Sequence, residues 1–160
     1  MSELKDLGLK DQIFMRAYKW RRIDPVPWTP LQKPLAESRL GIVSSAGLSV
    51  PGQEPFNTKA KGGDPTFREI PTGIDTAELL ENHRSQSWDH RGVERDKNLA
   101  FPIQRARELV ESGRIGSLSE RHVSVMGSIT APGRFVRDHV PQIAEVFAQE
   151  EVDVALLVPV

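Results

Sequence analysis

Near its C-terminus the chain places strand, helix and strand patterns so close together that a βαβ unit is the arrangement they fit. Arg121 to Met126 runs through His122, Val123, Ser124 and Val125 with the two-residue period of a strand. From Gly133 to Glu151, Val136, Val140, Ile143 and Phe147 fall on one helical face, with Val146 beside them. Val152 to Val160 is then almost entirely apolar, the pattern of a parallel strand buried on both faces. Two strands joined through such a helix are parallel, with a right-handed crossover. Pro141 is predicted to kink the helix, or to restart it with Asp138 as the cap.

Upstream, Arg39 to Ser44 reads as a further strand, with Leu40, Ile42 and Val43 apolar, and it runs into the small turn residues Ser45, Ala46 and Gly47. Phe101 to Ser112 reads as a helix. Pro102 suits its first turn, Ile103, Ala106, Leu109 and Val110 form its stripe, and Gly113 ends it. Thr76 to His83 is too short to separate strand from helical turn by period, and is assigned to strand. Val50 to Gly73 is rich in Pro and Gly with almost no periodicity, the mark of a long functional or disordered loop, in which Phe56, Phe67 and Ile70 offer packing. At the N-terminus Leu9, Ile13 and Ala17 recur at helical spacing, widened by Phe14 and Tyr18, until Asp24-Pro25-Val26-Pro27 ends the helix. Trp28 is read as an anchor for the connector that follows. The organisation expected is an N-terminal helix and connector over residues 1–27 and one domain over 28–160. That domain is predicted to be α/β, a three-layer Rossmann-like fold with a mostly parallel sheet that lacks its C-terminal part.

A chain of 160 residues suffices for one domain with a real core. With 38% hydrophobic and 27% charged residues it is an ordinary globular composition. The net charge of −1 argues against nucleic acid or an anionic membrane as main partner, and Arg16, Lys19, Arg21 and Arg22 read as a solvated helix face. The absence of a long apolar run or signal peptide leads to an expected cytoplasmic location. Zero cysteines exclude disulfides, cysteine nucleophiles and thiolate metal sites within these residues. Neither G-x-G-x-x-G, a Walker loop nor G-x-S-x-G is present. Lys59 to Asp64 is Gly-rich and basic but reads as a turn.

If the strand from Leu40 is parallel to the other two, three carboxyl ends meet at one sheet edge, where α/β folds bind ligands. Ser45 and Gly47 from the first turn, and Gly127, Ser128 and Thr130 from the second, are then candidate substrate-binding residues. Their hydroxyls and backbone N–H groups suit a small anion or a developing negative charge. The densest chemistry lies in His83-Arg84-Ser85-Gln86-Ser87-Trp88-Asp89-His90-Arg91. Its two histidines stand seven apart with Asp89 beside the second, which suits proton handling near neutrality. His83, Asp89 and His90 are the candidate catalytic residues. The spacing suits no metal, so none is expected. His122 and His139 read as packed or surface residues.

Several of these stretches, taken in order, resemble the glycine/sarcosine/betaine reductase component B family, which includes the D-proline reductase selenoprotein. They are Trp28-Thr29-Pro30-Leu31, Lys33 to Arg39, Gly63-Asp64-Pro65-Thr66-Phe67-Arg68-Glu69-Ile70-Pro71, Trp88-Asp89-His90 and Asn98 to Ile103. Arg105 to Gly116, Gly127-Ser128 and Val152 to Leu157 complete the set, so that the resemblance covers residues 17–160. It implies a selenoprotein B-like component of a reductase that cleaves a C–N bond in a small amino acid or betaine-type substrate. It also implies that a redox-active selenocysteine or cysteine follows Val160 directly, encoded by UGA or removed by trimming. No cofactor is then expected within the chain itself, and the fragment is expected to be inactive alone. Other reductase subunits or a thioredoxin-like thiol donor are the implied partners, and a homo-oligomer is compatible. The alternative reading is a non-catalytic α/β domain for ligand binding or assembly.

Overall fold

A computed structural model describes residues 8–18, 22–85 and 90–160. The chain divides into two compact units, Met1–Pro30 and Leu31–Val160. In the first, Leu9–Ala17 forms helix α1, and none of its residues is buried. Its stripe is therefore exposed, with Leu9 at 73% and Ile13 at 59%. Trp28 does not anchor the connector: it is 85% exposed.

The second unit is mixed α/β, a mostly parallel sheet with helices. In chain order its strands and α-helices are β1 (Arg39–Ser44), β2 (Leu48–Ser49), β3 (Phe67–Pro71), β4 (Leu80–Glu81), α2 (His90–Arg95), α3 (Ile103–Glu111), β5 (Ser117–Leu118), β6 (Arg121–Val125), α4 (Val140–Gln149) and β7 (Val154–Val158). β1 is central, paired in parallel with β7 along its length and with β5 and β6 on its other edge. The expected parallel relation of the three strands holds. β3 joins β6 antiparallel, and β2 and β4 make a separate two-stranded pair.

Alternation along β1 sets the packing. Leu40 and Ile42 point to a core that includes Phe101, Ile103 and Ala106 around the start of α3. Gly41 points to the opposite face, where a Cβ would stand 2.9 Å from the ring of Phe147 in α4. The missing side chain is what lets that ring lie on the strand. α3 and α4 therefore cover opposite faces of β1.

Three local expectations are corrected. The Pro- and Gly-rich segment is neither disordered nor structureless, because Asp64 accepts bonds from the Asn57 N–H (2.7 Å), the Thr66 N–H (2.9 Å) and the Thr66 hydroxyl (2.6 Å), and β3 follows. These bonds hold the Asp64 carboxyl below its ordinary range, against the opposing effect of burial, which is the largest single influence on it. Thr76 to His83 is mostly not strand: Thr76–Glu78 is a 3-10 turn capped by Asp75, leaving two residues for β4. Asp138 does not cap the last helix. A π-helical segment, Phe135–His139, precedes α4 and brings Pro141 into its first turn, where a missing N–H costs nothing. The Asp138 carboxylate bonds Arg137 instead.

The edge of β1 facing β5 and β6 contains an irregularity with a chemical repair. Between the paired residues Leu40↔Leu118 and Val43↔Val123, the two residues of β1 face the stretch Ser119 to His122, so the neighbour bulges. The Ile42 N–H would lose its ladder acceptor there. It donates instead to Nδ1 of the fully buried His122 at 3.1 Å. His122 Nε2 lies 2.8 Å from the Thr72 hydroxyl, which donates in turn to the Ser119 carbonyl. This set requires a neutral imidazole with its proton on Nε2. Burial pushes the His122 pKa down to about 4.

Because that value lies below the 6.5 of an unfolded histidine, the unfolded chain binds a proton between these pH values that the folded chain does not. Stability through His122 is complete above pH 6.5 and falls toward pH 4, by about 3 kcal/mol in total. His122→Asn, which offers an amide oxygen to Ile42 and does not titrate, is expected to lose less stability than wild type between pH 7 and pH 4.5 in urea unfolding. Equal losses in the two proteins would contradict the buried neutral assignment.

Candidate functional site

The three parallel strands end at one edge, and their following residues are tied together there. Ser45 N–H donates to the Val158 carbonyl at 3.0 Å, Gly47 N–H to the Val125 carbonyl at 2.8 Å, and Val160 N–H to the Ser45 hydroxyl at 2.9 Å. The turn after β1 therefore touches the ends of both β6 and β7. Gly127, at the end of β6, completes the junction. Its φ is +73°, and a Cβ there would lie 2.3 Å from the Ser45 carbonyl oxygen and 3.2 Å from His83 Nε2.

His83 reaches this edge through β4. Glu81 pairs with Leu48 in β2, and the Asn82 N–H donates to the Gly47 carbonyl at 2.9 Å. A Cβ on Gly47 would be 3.1 Å from the His83 nitrogen, so the close approach of the two backbones needs glycine. His83 Nδ1 accepts the Ser85 N–H at 3.2 Å, which assigns the neutral ring's proton to Nε2, the nitrogen beside Gly127. Burial lowers the His83 pKa; the neighbouring Glu81 opposes this and His90 adds to it.

His90 opens α2 with its ring centroid 6.4 Å from that of His83. Its Nδ1 meets a Glu81 carboxylate oxygen at 2.7 Å and its Nε2 the Ser85 carbonyl at 2.7 Å. Both partners are acceptors, so the ring is held as an imidazolium. The Glu81 hydrogen bond, followed by that to Ser85, raises its pKa. The two histidines thus differ in charge, although sequence treated them as an equivalent pair.

Of the residues singled out in the sequence, the structure brings together Ser45, Gly47, Gly127, His83 and His90. Ser128 and Thr130 stand on the loop that follows, half-buried and exposed respectively. That loop lies against the Lys61–Gly63 turn: the Ala131 N–H donates to the Gly62 carbonyl at 3.0 Å, and a Cβ on Gly63 would be 2.7 Å from the Ser128 carbonyl. Among the described residues neither the Ser128 nor the Thr130 hydroxyl makes a hydrogen bond. Asp89 and Trp88 lie outside the described residues. The backbone is less open to an anion than the small residues suggested. The amides of Ser45, Ala46, Gly47, Ser128 and Ile129 are all engaged within the protein. Glu81 was missed, since only its spacing of two from His83 hints at a shared site.

Among the described residues, no group of three or more His, Asp or Glu side chains could hold a metal ion, and no helix is long and apolar enough to cross a membrane. The sequence model of the glycine/sarcosine/betaine reductase selenoprotein B family matches residues 5–159. The chain belongs to that family. It is 30% identical over 151 residues to the D-proline reductase subunit gamma of Acetoanaerobium sticklandii, covering 94% of this chain and 58% of that protein. It is 26% identical over 151 residues to the glycine reductase complex component B subunit gamma of Symbiobacterium thermophilum, covering 93% and 34%. The sarcosine reductase complex component B subunit beta of Peptoclostridium acidaminophilum is 28% identical over 126 residues, covering 78% and 29%. The chain thus spans between about three tenths and six tenths of the length of these relatives. All three are named as subunits of reductases or reductase complexes. No solved structure matches.

Gly127 gives the site a direct test. A left-handed φ costs a residue with a side chain about 1–2 kcal/mol, and the contact with the Ser45 carbonyl adds to that. Gly127→Ala is expected to lower the urea midpoint by at least that equivalent and to perturb the amide resonances of Ser45 and His83. An unchanged midpoint would show that the turn after β1 is not packed on Gly127.

Proposed function

We propose that this chain forms the substrate edge of a selenoprotein B-like reductase component, one that cleaves a C–N bond in a small amino acid or betaine-type substrate. On this reading the sheet and its two flanking helices are the N-terminal part of a three-layer Rossmann-like domain. A selenocysteine or cysteine follows Val160 in the complete polypeptide. Other reductase subunits and a thioredoxin-like thiol donor act with it in the cytoplasm. The observation that carries the proposal is the convergence of Val160, Ser45, Gly127 and His83 Nε2 at one strand edge.

The redox residue would supply a soft nucleophile that is anionic near neutrality and is reset by thiols. This chain's residues do the rest. Neutral His83, with its proton on Nε2, donates a hydrogen bond to a negative charge at the strand ends, whether on the substrate carboxylate or on the nucleophile. Ser45 fixes the backbone at Val160. Gly127 lets the Ser45 carbonyl and the His83 ring close on the end of β6, where a side chain would push them away. His90, whose ring nitrogens both face acceptors, is paired with Glu81 and offers no mobile proton, so the amine's proton comes through His83 or solvent. Ser128 and Thr130 offer hydroxyls to the substrate, and Asp89 stays a candidate third member.

The test is made in the complete polypeptide with its partner subunits. Losing one donor of this kind costs about 10²–10³ in rate, so His83→Ala is expected to lower kcat/KM by about that factor, and His83→Gln, which keeps an N–H donor, to recover part of it. Mass spectrometry of the protein from its source is expected to find selenocysteine or cysteine next to Val160. Activity of His83→Ala equal to wild type would remove His83 from the site. A polypeptide with no redox residue there would favour the ligand-binding or assembly reading.

A further inference from the structure

We propose that Glu81 is the positioning residue of this edge: one carboxylate oxygen holds the His90 imidazole and the other the His83 backbone N–H, and so one residue sets the roles of both histidines. The proposal deepens the reading of His83 as a donor and rests on it.

Glu81 Oε2 is 2.7 Å from His90 Nδ1, and Oε1 accepts the His83 N–H. The Glu81 side chain is 11% exposed and that of His90 27%, so water screens the pair only in part. Two consequences follow from a single carboxylate. The first is charge: a carboxylate at hydrogen-bond distance favours imidazolium, and a second imidazole whose ring centre is 6.4 Å away is then disfavoured as a cation. His90 carries the charge, while burial first, and the His90 cation after it, keep His83 neutral against the direct pull of the same carboxylate. The second is direction. With its N–H fixed by Glu81 and its Nδ1 occupied by the Ser85 N–H, the His83 ring turns Nε2 to Gly127 and Ser45. Among the described residues, the titratable groups acting on His90 are Glu81 from β4, His83 from the segment after it, and Glu94 from α2 itself. Glu94 acts only through space, whereas Glu81 is bonded.

Nitrogen-15 NMR of the imidazoles in the 160-residue chain tests this without substrate or redox partner. In wild type, His90 is expected to titrate at higher pH than His83, and neutral His83 to show the Nε2–H tautomer. Glu81→Gln keeps an acceptor for the His83 N–H but removes the charge; the His90 titration should move to lower pH with the His83 tautomer retained. Glu81→Ala removes both, and the His83 ring, its backbone N–H released, should lose its contact with Gly127 in nuclear Overhauser spectra. A carboxylate that merely held β4 in place would leave the His90 titration unmoved in Glu81→Gln, and that result overturns the proposal, as does an unchanged His83–Gly127 contact in Glu81→Ala. Should Glu81→Ala fail to fold, the Glu81→Gln titration decides alone. These outcomes are independent of the His83→Ala rates, so Glu81 can fail while the reading of His83 stands.

Discussion

A central parallel strand must place every backbone polar group on a partner, because neither edge nor face has water to offer, and β1 meets that demand in two different ways. Against β7 it uses a regular ladder over five residue pairs, which sets Ser44 opposite Val158 and brings Val160 to Ser45. Against β5 and β6 the ladder is interrupted, and the imidazole of His122 stands in for a carbonyl. An unpaired buried amide costs about 1–3 kcal/mol, so this one side chain preserves the register that aligns the ends of β1 and β6. The strand edge inherits its geometry from that repair.

At the edge itself, packing and electrostatics reinforce each other. Gly47 and Gly127 allow backbone and imidazole to approach more closely than any side chain would permit, and the Glu81 bond charges His90 while burial keeps His83 neutral. The His90 imidazolium and the Glu81 carboxylate balance each other, and the neutral His83 beside them keeps an N–H that can give a directional bond.

The sequence exposed the elements whose burial pattern is regular. β1 was found with its observed bounds because Leu40 and Ile42 alternate around small residues, and α3, β6 and β7 differ by one or two residues at their ends. But β7, read as buried on both faces, has its three central residues exposed, because only β1 pairs with it among the described residues. β3 was missed: as an antiparallel edge strand it buries only Ile70, and Arg68 and Glu69 break the apolar pattern. The π segment before α4 left no trace except Pro141, read as a kink or a restart of the helix, of which the restart is what α4 shows. His122, read as packed or surface, is fully buried, and its service to Ile42 depends on a two-residue bulge between strands far apart in sequence. At the site, small residues at strand ends were legible and brought Ser45, Gly47 and Gly127 forward. The contrast between His83 and His90 was not, because it comes from the Glu81 bond to His90 and the burial of His83, both visible only once β4 is paired to β2.

Everything functional in this account depends on His83 standing at the common end of β1, β6 and β7. Nuclear Overhauser spectroscopy of the labelled chain addresses that placement most directly. Cross-peaks from the His83 ring protons to the Gly127 Hα are the predicted result, since a Cβ in that Hα direction would lie 3.2 Å from Nε2. Their absence, with His83 contacts only to residues at the opposite ends of the strands, would contradict the account.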